Sequence, residues 1–202
     1  MNQLISNYLE AIGGVTLIRR IRHHALLCCI EAKGIHQTWK EFYDYESGAF
    51  RITTANDGYT MALTEGNRSE AHRKFKSGSK DIDEGELDAI HTSMMLVPEI
   101  KFLDENFIRS VYEDTVSVGD DISHFSFRSS KYDYTFIFDN KTGLKKEVKL
   151  ADLSDERIKL DLQYSQWSRF EGLLYPVVLE MISEHQVSKR MVLELEIGYR
   201  DS

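Results

Sequence analysis

The chain has 202 residues, of which 42% are hydrophobic and 29% charged, with a formal net charge of −8 at pH 7. This is the composition of an ordered globular protein, long enough to bury on the order of 70% of its unfolded surface without disulfides. The acidic balance, with no concentrated Lys/Arg face, argues against nucleic acid as a partner and disfavours electrostatic docking to an anionic membrane.

No apolar run approaches the roughly 18–20 residues that span a bilayer, so no transmembrane segment is expected. The N-terminus lacks a signal-peptide pattern. The chain therefore reads either as cytoplasmic or as one from which an export signal has been trimmed. The two cysteines, Cys28 and Cys29, are neighbours in an apolar strand and point to opposite faces. They read as small hydrophobes, without redox or metal duty.

In chain order, Leu4, Ile5, Tyr8, Leu9 and Ile12 fall at helical spacing over residues 3–12, and Gly13-Gly14 stops that helix. A further helical turn is possible around residues 15–21. Residues 25–32 are apolar on both faces, as in a central strand. Trp39, Glu41, Tyr43 and Tyr45 then share one strand face. Short strands at 50–54 and 59–63 flank Asn56-Asp57-Gly58, a tight-turn signal.

Residues 66–80 carry Arg68, Arg73, Lys74, Lys76 and Lys80 without apolar periodicity, which predicts an exposed, mobile loop. Asp83 and Glu86 at capping-box spacing open a helix over 84–97, with Leu87, Ile90, Met94 and Val97 on one side and Pro98 at its end.

From residue 107 onward the pattern has period two. Strands are expected at 107–116, 122–128, 132–138, 144–151, 158–167, 174–184 and 189–199. The clearest hairpin is 132–150. Tyr132, Tyr134, Phe136 and Phe138 share a face of its first arm, and Asp139 to Gly143 make the turn. On its second arm Leu144, Val148 and Leu150 oppose Lys145, Glu147 and Lys149. Short connections make such strands antiparallel. With about ten strands, an open sheet curls. The predicted class is α+β: one domain over 1–202, a single curved antiparallel β-sheet wrapping an N-terminal helix and a central helix, which together cover the hairpin's aromatic face.

The sequence holds no zinc-protease helix motif, phosphate-cradling Gly-rich loop, nucleophile elbow or Cys-x-x-Cys. His23 and His24 point to opposite strand faces and do not chelate one ion. Asp139 to Gly143 differs from an Asp-Lys-Thr-Gly phosphorylation motif by an inserted Asn and reads as a turn. No cofactor, no metal and no catalytic residue is expected, and the chain is read as a non-enzyme. The remaining candidate is apolar. Leu87, Ile90, Met94 and Met95 on the central helix, with Trp39, Tyr43, Tyr134, Phe136, Tyr164 and Tyr175 on strands, either line a hydrophobic cavity or pack together as core.

Several segments, in order along the chain, resemble the bacterial outer-membrane lipoprotein carrier superfamily (LolA/LolB-like). They are Tyr8-Leu9-Glu10-Ala11-Ile12-Gly13-Gly14, Gly48-Ala49-Phe50-Arg51-Ile52 with Asn56-Asp57-Gly58, Phe138-Asp139-Asn140-Lys141-Thr142-Gly143-Leu144, and Phe170-Glu171-Gly172-Leu173-Leu174-Tyr175-Pro176. The resemblance implies a half-open, unclosed β-barrel whose concave face holds helices and a cavity for lipoprotein acyl chains. It also implies a periplasmic or envelope location with the export signal removed. Carriers place an Arg-Pro pair before the strand holding Phe50-Arg51, whereas this chain has Glu46-Ser47-Gly48 there. The leading functional expectation is an envelope protein binding a lipid, an acyl chain of a lipoprotein or another apolar ligand. The alternative is a protein–protein interaction or scaffold module with a self-filled core, docking another envelope protein through an exposed face or strand edge.

Overall fold

The computed structural model describes residues 3–104, 107, 112–128, 132–153 and 159–200. Its helices are α1 (Gln3–Ile12), α2 (Val15–Arg19) and α3 (Glu84–Ser93), with a 3-10 helix at Pro98–Leu103. Its strands are β1 (Ile21–Ala32), β2 (Ile35–Asp44), β3 (Phe50–Asn56), β4 (Tyr59–Gly66), β5 (Ala71–Phe75), β6 (Gly78–Asp81), β7 (Tyr112–Val118), β8 (Ile122–Arg128), β9 (Tyr132–Asp139), β10 (Lys145–Asp152), β11 (Lys159–Phe170), β12 (Leu173–Ser183) and β13 (Val187–Tyr199).

The sheet is antiparallel and open, with thirteen strands in the order β6-β5-β4-β3-β2-β1-β13-β12-β11-β10-β9-β8-β7. The α+β class therefore holds, while the expected strand number of about ten is too low. The main difference is residues 66–80, which form the β5–β6 hairpin and continue the sheet from β4. Both strands are short and mostly exposed, and they carry Arg73, Lys74 and Lys80. That is how an edge is kept from pairing further, and it erases the apolar alternation that marks a strand. The strand expected from residue 107 begins at Tyr112, and positions 108–111 lie outside the described residues.

The chain folds as two compact units, each built from two separate stretches of sequence. The first comprises Met1–Val15 and Glu99–Lys189, the second Thr16–Pro98 and Arg190–Ser202. In the first unit, α1 buries Ile5, Tyr8, Leu9 and Ile12, the residues its helical spacing selects. Tyr8 packs on Phe138 and Trp167, with ring centroids 5.6 and 6.4 Å away. The hairpin turn between β9 and β10 is set by Asp139, whose carboxylate accepts from the backbone N–H groups of Lys141 and Thr142 and from the Thr142 hydroxyl. Gly143 takes φ 70° there, a conformation strained for any residue with a Cβ. The turn is structural, as its sequence suggests.

In the second unit, α3 packs on β2 and β3. Its N-cap is Asp83, whose side chain accepts from the Glu86 N–H at 2.8 Å. The helix ends at Ser93, with Met94 as C-cap, short of the expected 97. The Ser93 hydroxyl donates to the Ile90 carbonyl, a local bond that competes with helix continuation. Leu87, Ile90, Met94 and Val97 are nevertheless all buried.

Two glycines in this unit have opposite surroundings. A Cβ at Gly66 would collide with Ala71 and the Glu70 carbonyl, both held by the β4–β5 pairing, whereas at Gly85, inside α3, it would meet only Asp83 Oδ1 at an ordinary 3.5 Å. Gly66→Ala is expected to destabilise by about 1–3 kcal/mol. Gly85→Ala is expected to stabilise by roughly 0.5–1 kcal/mol through helix propensity. Urea unfolding midpoints of the two variants check this opposition in sign.

Candidate functional site

Opposite residues of an antiparallel ladder share a face, so the register fixes which side chains of the second unit can act together. On one face lie Tyr43 opposite Phe50, Glu41 opposite Ile52 and Trp39 opposite Thr54. The same face continues through Asn56 opposite Tyr59 and Ala62 opposite Phe75, and includes Ile35 at the start of β2. Leu87, Ile90 and Met94 cover its Tyr43, Phe50 and Ile52 end, with Trp39 and Tyr45 partly buried against the cluster.

Four contacts fix that cover. His91 Nε2 lies 3.1 Å from the Asn67 carbonyl and Nδ1 3.1 Å from the Tyr43 hydroxyl. A carbonyl only accepts, which assigns the proton to Nε2 and makes Tyr43 the donor to Nδ1. Leu96 N–H donates to the Tyr45 hydroxyl at 3.0 Å, and Arg73 pairs with Glu86 of α3 at 2.6 Å. Burial pushes the Tyr43 phenol pKa above its ordinary value.

Beyond α3 the same face is uncovered. Ile35 is 52% exposed, Tyr59 78% and Phe75 43%, and Trp39 stands half-buried between them and the core. The indole of Trp39 is held by its N–H, which donates to Glu41 Oε2 at 2.8 Å. Glu41 in turn lies 3.4 Å from Nε2 of His24, a wholly buried ring. Cys28 is buried, with its thiol pKa pushed up to about 11, chiefly by burial, and Cys29 is half-buried. Both are free thiols.

In the first unit, β8 and β9 build an aromatic wall. Phe127 stacks on Tyr134 (centroids 4.6 Å apart, planes 5° apart) and on Phe136 (5.6 Å, 14°). Parallel rings on neighbouring strands turn their edges away from the sheet. Phe102, from the 3-10 helix, meets Phe125, Phe127 and Phe136 edge-on at 4.9–6.0 Å. Together with Tyr8 on Phe138, this is the cover of the hairpin within its unit.

Beside the wall sits a buried ion pair. Lys145 is 5% exposed and Glu99 1%, and their side chains are bonded Nζ to Oε1. Sequence alternation places Lys145 on the outer face of β10. The register shift between Lys145 and Glu147 turns it instead to the face of its partner, Phe138. Its ammonium lies 4.3 Å from the ring centroid of Tyr164, 5.4 Å from Tyr8 and 5.9 Å from Phe136. Burial alone would lower its pKa. The Glu99 carboxylate and the Tyr164 and Tyr8 phenols outweigh that and raise it well above the ordinary lysine value. Burial likewise pushes the Tyr8 phenol well up, against the pull of Lys145. Glu99 Oε2 has no hydrogen-bond partner among the described residues.

Of the residues expected to line a cavity, Leu87, Ile90, Met94, Met95, Trp39 and Tyr43 lie in the second unit, and Tyr134, Phe136, Tyr164 and Tyr175 in the first. Leu87, Ile90, Met94, Tyr43, Phe136 and Tyr175 are buried, whereas Met95, Trp39, Tyr134 and Tyr164 are half-buried. Ile35, Tyr59 and Phe75 escaped the sequence reading. Their shared face was obtainable from the alternation, but their exposure depends on where α3 stops. Glu99 and Lys145 carried no signal, because a register shift leaves none. Among the described residues, no group of three or more His, Cys, Asp or Glu is placed to hold a metal ion, and no helix is long and apolar enough to cross a membrane.

The chain shares its fold, an open antiparallel sheet with helices packed on it, with solved structures. Over 99% of its length the chain is similar to a LolA superfamily protein from Nitrosomonas europaea, with a TM-score of 0.60, 9% identity and 94% of that chain covered. It is equally similar to a DUF1329 family protein from Desulfovibrio piger (TM-score 0.59, 9% identity, 99% of this chain and 94% of that one). An outer membrane lipoprotein-sorting protein domain from Vibrio parahaemolyticus follows (TM-score 0.56, 10% identity, 98% and 95%). No family model matches the sequence, and no curated protein matches it.

Removing one member of the Glu99–Lys145 pair strands a charge in an apolar surround. Lys145→Met is expected to cost about 3–5 kcal/mol, while Lys145→Met combined with Glu99→Leu recovers most of that loss. Equilibrium unfolding of the single and double variants measures both.

Proposed function

We propose that this protein is a non-enzymatic component of the cell envelope that binds a lipid, the acyl chain of a lipoprotein or another apolar ligand against the covered face of its sheet. The observation that carries this reading is the uncovered end of that face in the second unit. Ile35, Tyr59 and Phe75 lie on the same sheet face as the core positions Tyr43, Phe50 and Ile52, yet α3 leaves them exposed. Single exposed apolar residues are ordinary. A run that continues a core face is a surface made to be covered. Half-buried Trp39, oriented through Glu41, stands where the covered and uncovered portions meet.

The fold is in keeping with this reading, since a domain whose name describes lipoprotein sorting shares it over nearly the whole chain. Fold alone does not assign a ligand. The chemistry of the face narrows it to an apolar chain, because ring edges, Ile and Met offer dispersion contacts and adapt to length. Leu87, Ile90, Met94 and Tyr43 form the wall behind such a chain, and Met95 and Trp39 are its half-buried contacts. Envelope localisation belongs to the same proposal.

The test is titration of the delipidated protein with a dansyl-labelled fatty acid, alongside native mass spectrometry of the freshly purified protein. Saturable binding is expected, weakened about tenfold or more by the combined Ile35→Lys and Phe75→Lys substitutions. Both positions are exposed, so the circular dichroism spectrum should not change. Absence of saturable binding for every acyl length tried, or equal affinity of the variant, would overturn the proposal.

A further inference from the structure

The uncovered end of the second unit's face is not uniformly apolar. Cross-strand pairing sets Gln37 opposite Asn56, one row beyond Trp39 and Thr54, and Asn56 in turn opposite Tyr59. Ile35 follows two residues further along β2 on the same side. Trp39, Gln37, Thr54 and Asn56 are half-buried, whereas Ile35, Tyr59 and Phe75 are exposed. Along β2 the face therefore presents an indole, then an amide, then an aliphatic tip. Among the described residues neither side-chain amide has a hydrogen-bond partner in the protein.

The charged groups that reach this face are already engaged. Glu41 is buried and accepts from the Trp39 indole, and Arg73 pairs with Glu86. Arg190, whose guanidinium acts on the Cys28 thiol opposite Trp39, has a partner of its own. Trp39, Gln37, Ile35, Thr54, Asn56 and Tyr59 carry no charge between them at neutral pH.

That combination selects its occupant. A bare acyl chain laid over the whole stretch takes water from both amides and returns nothing, a loss of about 1–3 kcal/mol for each amide. An ionised head group gives up hydration with no opposite charge free to meet it. The fitting group is uncharged, with hydroxyls at its edge and C–H bonds on its flat side. Each hydroxyl both donates and accepts, matching the two capacities of a side-chain amide. The C–H bonds lie against the negative faces of aromatic rings. A pyranose ring has this build. From Trp39 to Ile35 the extended strand runs roughly 13 Å, room for one or two such rings.

We infer that the row of Gln37 and Asn56 receives the uncharged glycosyl head group of a glycolipid, its chain lying toward Trp39 and Phe75 at the α3 end of the face. This inference rests on the proposed binding of an apolar chain to the same face and adds the chemistry of the head. The sugar is lipid-linked because the amide row is continuous with that apolar face, with Trp39 on one side and Ile35 on the other.

The experiment is calorimetric titration of the full chain with three amphiphiles of one alkyl length, each held below its micelle-forming concentration: an alkyl maltoside, an alkyl sulfate and an alkyl trimethylammonium. The maltoside is expected to bind about tenfold or more tighter than either ionic analogue, and to displace the dansyl-labelled fatty acid. Gln37→Leu with Asn56→Leu is expected to abolish the preference without weakening the fatty acid. Unchanged thermal unfolding will show that the variant's fold survives, and the preference of the unaltered protein is a test that needs no variant. The inference is overturned if the three amphiphiles bind equally, if the folded double variant keeps the preference, or if maltose alone binds as tightly as the maltoside, which makes the occupant a free sugar. Binding of the fatty acid with no head-group preference overturns this inference alone. Failure of every amphiphile, the fatty acid included, overturns the lipid reading with it.

Discussion

Cross-strand register is the constraint on which the rest of this structure depends. Once two antiparallel strands are aligned, each residue's face is decided, and a slip of one position would exchange the two faces of a whole strand. In the second unit a single alignment carries Tyr43, Phe50 and Ile52 under α3 and brings Ile35, Tyr59 and Phe75 out beyond it on the same side. In the first it lines up Phe125, Phe127, Tyr134 and Phe136 as stacked rings under Phe102. Core and candidate binding surface are thus one surface, divided by how far the covering segments extend.

Where the register shifts, chemistry enters. The displacement after Lys145 inserts a cation into an aromatic and aliphatic face, and Glu99 arrives from the 3-10 helix to neutralise it. Such a pair contributes little net stability over an apolar filling, but its geometry is demanding. It holds the segment that carries Phe102 in one position against the rings. With the lysine pKa raised well above its ordinary value, the ammonium stays charged throughout the neutral range. The His91 contacts do a comparable job for α3, fixing the helix through one donated and one accepted hydrogen bond at its two ring nitrogens.

Much of the fold was legible because period-two alternation is a strong signal where one face is apolar. The strands from Ile122 onward begin within a residue or two of where the pattern places them, and α1 matches its spacing. Legibility failed where the alternation is masked. In β5 and β6 the side chains are basic and exposed on a sheet edge, so they resemble a loop. In α3 the stop at Ser93 is a local competition between a hydroxyl and the backbone, and it shifts Met94 from helix to cap without unburying it. The candidate site divides in the same way. The buried aromatics and methionines could be named from pattern, but whether an apolar residue on the right face is covered depends on packing between distant segments, as it does for Tyr59 and Phe75. The outward-looking position of Lys145 was a misreading that only the β-bulge explains.

The discontinuity of the two units has a consequence for biosynthesis. α1 is made well before the partners of its apolar face: Tyr8 packs on Phe138 and on Trp167, and α1 lies against β12. About 160 residues separate Tyr8 from Trp167. Until residues from Glu99 onward are made, Ile5, Leu9 and Ile12, wholly buried in the finished fold, have no surface of their own unit to meet. While residues 16–98 are being made, the nascent chain therefore presents an uncovered amphipathic helix, the kind of segment that chaperones and membrane surfaces capture.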